Sequence, residues 1–87
     1  MGWTVEITAK ARKTLTGLDR SAVERINHFI RERLVPSENP RNLGKALKGP
    51  LGDFWRYRVG DYRLICCIED KRMTILAVKI SHRREAY

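Results

Sequence analysis

Arg56, Arg58 and Arg63 flank a Gly60-Asp61 pair in a run of alternating polar and apolar residues. Period-two alternation marks half-buried strands, and Gly-Asp between two such runs marks a two-residue hairpin turn. With Gly60 and Asp61 as the loop, Val59 pairs with Tyr62, Arg58 faces Arg63, Tyr57 faces Leu64, Arg56 faces Ile65 and Trp55 faces Cys66. Trp55, Tyr57, Val59, Tyr62, Leu64, Cys66 and Ile68 then share an apolar face. The three arginines share the other. Like charges directly opposite in a sheet cost about 0.2–1 kcal/mol, so three guanidiniums in one patch call for an anion or a role. The guanidinium fork matches phosphate oxygens bidentately, which makes this face a phosphate-binding platform. A solvated basic face is the plainer alternative.

Other chemistries are poorly supplied. The only cysteines, Cys66 and Cys67, are neighbours on opposite faces of a strand and read as reduced, buried thiols. With only His28 and His82 besides, no metal-ligand set is expected, and no cofactor. His28 reads as a surface residue. His82 adjoins Arg83 in a basic tail and is a possible auxiliary proton carrier. Lys45 and Lys48 lie in a loop rich in Pro and Gly and are candidate phosphate contacts, as are Lys79 and Arg84.

The whole chain leans the same way. Eighteen Lys and Arg against ten Asp and Glu give a net charge of +8, which biases so small a surface toward polyanions, nucleic acid first. Leu64 to Ile68, the longest apolar run, is far short of the ~20 residues of a membrane span. No signal peptide is expected, because Trp3 to Thr8 already reads as a strand. The location implied is cytoplasmic.

The elements that must position these residues follow from patterning. Eighty-seven residues make one domain, 1–87, with one modest core. After the first strand, a helix fits Ala9 to Leu15, with Thr8 as N-cap. A second helix starts at Asp19 or Ser21, the latter with capping-box spacing to Glu24, and ends at Pro36. It aligns Val23, Ile26, Phe29, Ile30 and Leu34 on one face. Residues 36 to 52 read as an ordered loop. Three strands follow, about 54–59, 62–68 and 73–80. The order β-α-α-β-β-β is an α+β layer: an N-terminal helical hairpin packed on one face of a mainly antiparallel four-stranded sheet. The last strand has two possible registers. One puts Met73, Ile75 and Ala77 in the core; the other puts Leu76, Val78 and Ile80 there. The second buries the bulkier set and brings Lys79 and Arg83 to the arginine face, and is preferred.

The run Leu47-Lys48-Gly49, then Phe54-Trp55-Arg56-Tyr57-Arg58-Val59-Gly60-Asp61-Tyr62-Arg63-Leu64-Ile65, resembles the central signature of the RelE/ParE toxin superfamily. The ending His82-Arg83-Arg84-Glu85-Ala86-Tyr87 resembles that of RelE-type members. The resemblance implies a type II toxin that cleaves mRNA in the ribosomal A site and is neutralised by a cognate acidic antitoxin. It assigns catalytic positions to Arg56, Arg58, Arg63, Arg83 and Tyr87. Arg56 and Arg58 stand where the family carries lysines. An arginine side chain is almost never neutral and so is a poor general base, which leaves Lys48, His82 or alignment alone for that task. Two other readings stay open: a ParE-like inhibitor of DNA gyrase, and a basic RNA-binding module without catalysis.

Overall fold

The computed structural model describes residues 2–47 and 54–82. Among these residues five strands and two α-helices are formed: β1 (Thr4–Ile7), α1 (Ala9–Thr16), α2 (Arg20–Phe29), β2 (Lys45–Ala46), β3 (Trp55–Val59), β4 (Tyr62–Glu69) and β5 (Thr74–His82). The sheet order is β1-β5-β4-β3-β2, with β1 parallel to β5 and every other pair antiparallel. The expected sheet had four strands. The fifth, β2, is a two-residue edge strand inside the stretch expected to be loop, too short to leave a period in the sequence.

Local chemistry sets the helix boundaries. Thr8 caps α1, its hydroxyl accepting from Ala11 N at 3.1 Å. Asp19 caps α2, accepting from Ala22 N at 3.3 Å, while the Ser21 hydroxyl donates to Asp19 at 3.1 Å. Ser21 is therefore inside the helix, and its spacing to Glu24 makes no capping box. Beyond Phe29 the helix widens into a π turn over Ile30–Leu34, closed by Val35 N donating to Ile30 O. Trp3 N donates to Val35 O at 2.8 Å, which ties the end of this turn to the start of β1.

The core lies between the helices and one sheet face. Ile26 and Leu34 meet Tyr57, Leu64, Cys66, Ile75 and Ala77. Each isoleucine or leucine among them, fully withdrawn from water, contributes about 1.5–3 kcal/mol. The last strand follows neither expected register throughout. Ile68 pairs with Ile75 and Cys66 with Ala77, but Ile65 pairs with Lys79, so Val78 is an extra residue on β5. A bulge of this kind flips the parity beyond it. Ile75 and Ala77 are core residues before it and Ile80 after it, whereas Leu76 and Val78 are half-buried. Met73, expected inside by one register, is exposed and left-handed at φ 46°. The bulge combines one alternative at the start of the strand with the other at its end.

Candidate nucleic-acid interface

The β3–β4 hairpin has the register read from the sequence: Arg58 opposite Arg63, Arg56 opposite Ile65, Val59 opposite Tyr62. Gly60 opens its turn at φ 59°. A side chain there would also strike Arg25, whose guanidinium lies 2.6 Å from the position of a Cβ. With Val59 and Tyr62 flanking the turn, Arg58 and Arg63 occupy the closer kind of antiparallel pair, with Cα atoms roughly 4.5 Å apart.

Pairing across the sheet extends this into two rungs. The first is Arg58, Arg63 and Ser81; the second is Lys45, Arg56, Ile65 and Lys79. Directly opposed residues share a face, so Lys45, Arg56, Arg58, Arg63 and Lys79 all lie on the side away from the helices. Neither rung contains an acidic residue. Lys45, Arg58 and Lys79 are exposed; Arg56 and Arg63 are half-buried. Ser81 is 4% exposed, and its Oγ is buried without a hydrogen-bond partner among the described residues.

The wall beside the second rung is held by a compact polar network. The turn Pro40–Leu43 leads into β2, and the Tyr57 hydroxyl donates to Pro40 O at 2.9 Å from within the core. Trp55 Nε1 donates to Arg41 O at 3.2 Å, and the Arg41 guanidinium lies 5.8 Å from the Trp55 ring centroid. Arg41 also grips Asp70 with both nitrogens, at 2.8 and 2.9 Å. This pair holds the Asp70 carboxyl below the usual carboxylate range. Gly44 permits the approach: a Cβ would fall 2.3 Å from Arg56 O. Between this wall and β3 is a groove of about 380 Å³ lined by Asn42, Leu43, Gly44, Lys45, Arg56 and Arg58.

The expected site residues thus divide. Arg56, Arg58, Arg63, Lys45 and Lys79 are gathered on one face. His82 is not with them: it falls on the helix-facing side opposite Tyr62, in edge contact with that ring at 5.1 Å. It opens onto a separate cleft of about 190 Å³ with Asp19, Arg25 and Asp61. Lys48, Arg83, Arg84 and Tyr87 lie outside the described residues. Burial, with the neighbouring Cys67, pushes the Cys66 thiol up to about 12, far from a useful nucleophile. Ser81 and the Asn42–Gly44 wall went unread in the sequence. Only the bulge and the edge strand bring them to this face, and neither leaves a periodic signal.

Residues 5–87 match the family described as the ParE toxin of the type II toxin-antitoxin system parDE. The toxin RelG of Mycobacterium tuberculosis is 31% identical over 87 residues, spanning all of this chain and 98% of that protein. Among solved structures, the toxin-antitoxin complex RelBE2 from M. tuberculosis is similar at a TM-score of 0.86 and 30% identity, covering 95% of this chain and all of that one. The archaeal RelE–RelB complex from Pyrococcus horikoshii gives 0.77 and 31%, covering 99% of this chain and all of that one. A shared fold, a profile match over nearly the whole length and identity at this level make the chain a member of the RelE/ParE superfamily of type II toxins.

Proposed function

We propose that this toxin is a metal-independent endoribonuclease that cuts mRNA in the ribosomal A site and so arrests translation in the cytoplasm. The observation that carries the reading is the pair of basic rungs, five cations gathered in two adjacent rungs with no acid in either. RNA brings its own nucleophile. The ribose 2′-hydroxyl attacks the adjacent phosphorus in line, the bond from phosphorus to the 5′-oxygen breaks, and a 2′,3′-cyclic phosphate and a 5′-hydroxyl result. The protein must align these atoms and stabilise the charge that gathers on the phosphorane oxygens. Arg56, Arg58 and Arg63 serve that purpose. By family resemblance Arg83 assists the leaving 5′-oxygen, which takes its proton from solvent, and Tyr87 stacks on a base or orients the hydroxyl. The proton of the 2′-hydroxyl goes to Lys48 or to solvent, since His82 faces the other way. Alignment by the ribosome offsets the lack of a strong base. Lys45, Lys48, Lys79 and Arg84 add attraction for the RNA backbone.

The partner that restrains it is an acidic antitoxin segment laid on the basic face. The solved relatives, being toxin–antitoxin complexes, support this, as does charge complementarity. One observation favours a second reading: the matching family is described by its ParE members, and on that reading the target is DNA gyrase. Toeprinting of mRNA on translating ribosomes separates the two. New truncations within the A-site codon, appearing only with the protein and persisting in EDTA once ribosomes are shown intact, support the nuclease. Toxicity with intact mRNA and inhibited supercoiling moves the assignment to gyrase.

A further inference from the structure

The groove beside the second rung has a shape and chemistry of its own. Its volume, about 380 Å³, falls within the range of small-ligand sites. Lys45 and Arg56, directly opposed, supply positive charge at one side. Leu43 offers half-buried apolar surface. Asn42 is exposed, and no hydrogen bond engages its side-chain amide among the described residues. Arg41, next in sequence, is by contrast committed to Asp70 and to the Trp55 ring. The wall is thus braced on one side, and Asn42 is left available on the other.

Spacing links the groove to the first rung. Arg56 and Arg58 are two residues apart on β3, about 6.6 Å along the strand. That is close to the separation of successive phosphates in an extended single strand. A phosphate on the Arg58–Arg63 rung therefore places its neighbour on the Lys45–Arg56 rung, and the attached base at the mouth of the groove. We propose that this groove is a subsite for one nucleotide flanking the scissile bond, with Lys45 on its phosphate, Arg56 shared between that phosphate and the scissile one, Leu43 against its base and the Asn42 amide reading the base edge. The inference rests on the RNA-cleaving reading above. An amide offers one donor and one acceptor side by side, which matches adenine bidentately, so adenine is the base favoured there.

The test uses the full chain on translating ribosomes, with an mRNA pool randomised around the A-site codon and the new RNA ends sequenced. Wild type is expected to favour adenine at one position beside the cut. Asn42→Ala should flatten that preference by about fivefold or more. Asn42→Asp, which only accepts, should move it toward cytosine, whose amino group donates. Thermal melts establish that both variants are folded. If wild type cuts and both variants keep its base profile, the groove is no nucleotide site, while the nuclease reading stands. A wild type that cuts with no base preference also overturns the inference. A wild type that makes no cuts removes the nuclease reading and this inference together. Unchanged base preference with tenfold weaker antitoxin binding assigns the groove to the antitoxin instead.

Discussion

Replacing Arg58 with threonine separates what the basic face does for stability from what it does for RNA. Arg58 is exposed, directly opposite Arg63, and has no carboxylate within ion-pair distance among the described residues. A like-charged cross-strand pair costs about 0.2–1 kcal/mol, and solvent exposure puts this one toward the lower end. Threonine keeps the strand conformation and adds favourable strand propensity, within a scale that spans only about 1 kcal/mol. The net expectation is a gain of about 0.5 kcal/mol. For a domain of this size each kcal/mol shifts Tm by about 4–8 °C, so Arg58→Thr should melt about 2–4 °C above wild type. The gap is electrostatic and should shrink in 1 M salt, where the screening length falls to about 3 Å. Single-turnover cleavage should meanwhile fall about tenfold to a thousandfold, the cost of losing one preorganised charge donor. Differential scanning fluorimetry at two salt concentrations, beside the cleavage assay, reads both effects. A variant that melts below wild type in low salt, or a gap unchanged by salt, refutes the repulsion argument.

Tyr57→Phe keeps the ring in the core but leaves the buried Pro40 carbonyl without its donor; it should cost about 1–2 kcal/mol in a denaturant titration, and an unchanged midpoint would show that the bond contributes nothing. Ser81→Ala removes a buried hydroxyl that has no described partner, so stability should hold or rise by up to about 1 kcal/mol, and a clear loss would reveal a partner the structure does not display. Asp70→Asn tests a pH effect. The Arg41 contact lowers the folded-state pKa of Asp70, so its stabilisation is present above the ordinary aspartate value of about 3.9 and is lost as pH falls through the lowered folded value. Wild type should therefore be the more stable at neutral pH and lose that lead in acid. A lead that persists unchanged in strong acid contradicts the linkage.

The hairpin and its arginines were legible because two-residue turns fix register, and strand alternation then fixes the face of every neighbour. The core face of the second helix was legible for the same reason at a period of 3.6, with Ile26 inside on α2 and Leu34 inside on the π turn beyond it. What stayed hidden was non-periodic. The bulge at Val78 lies in the pairing of β5 with β4, and it decides which of Lys79, Ser81 and His82 meet the arginines. His82 was a candidate auxiliary by adjacency to Arg83, and strand parity turns it toward Tyr62. The edge strand Lys45–Ala46 depends on contacts that arrive from elsewhere in the chain: Tyr57 holding Pro40, Arg41 holding Asp70, and the missing side chain of Gly44. Single residues of this kind carry no pattern until the strands they meet are in place.

On the function proposed above, the basic rungs act on a scissile phosphate during the reaction itself. The most direct measurement is the single-turnover rate of cleavage of ribosome-bound mRNA by wild type, Arg63→Ala and Arg83→Ala, with ribosome affinity measured in parallel. Each variant should lose about tenfold to a thousandfold in rate, while affinity changes much less because the remaining cations still supply the non-specific attraction. Wild-type rates in both variants, or full toxicity with no cleavage by any of the three proteins, would contradict it.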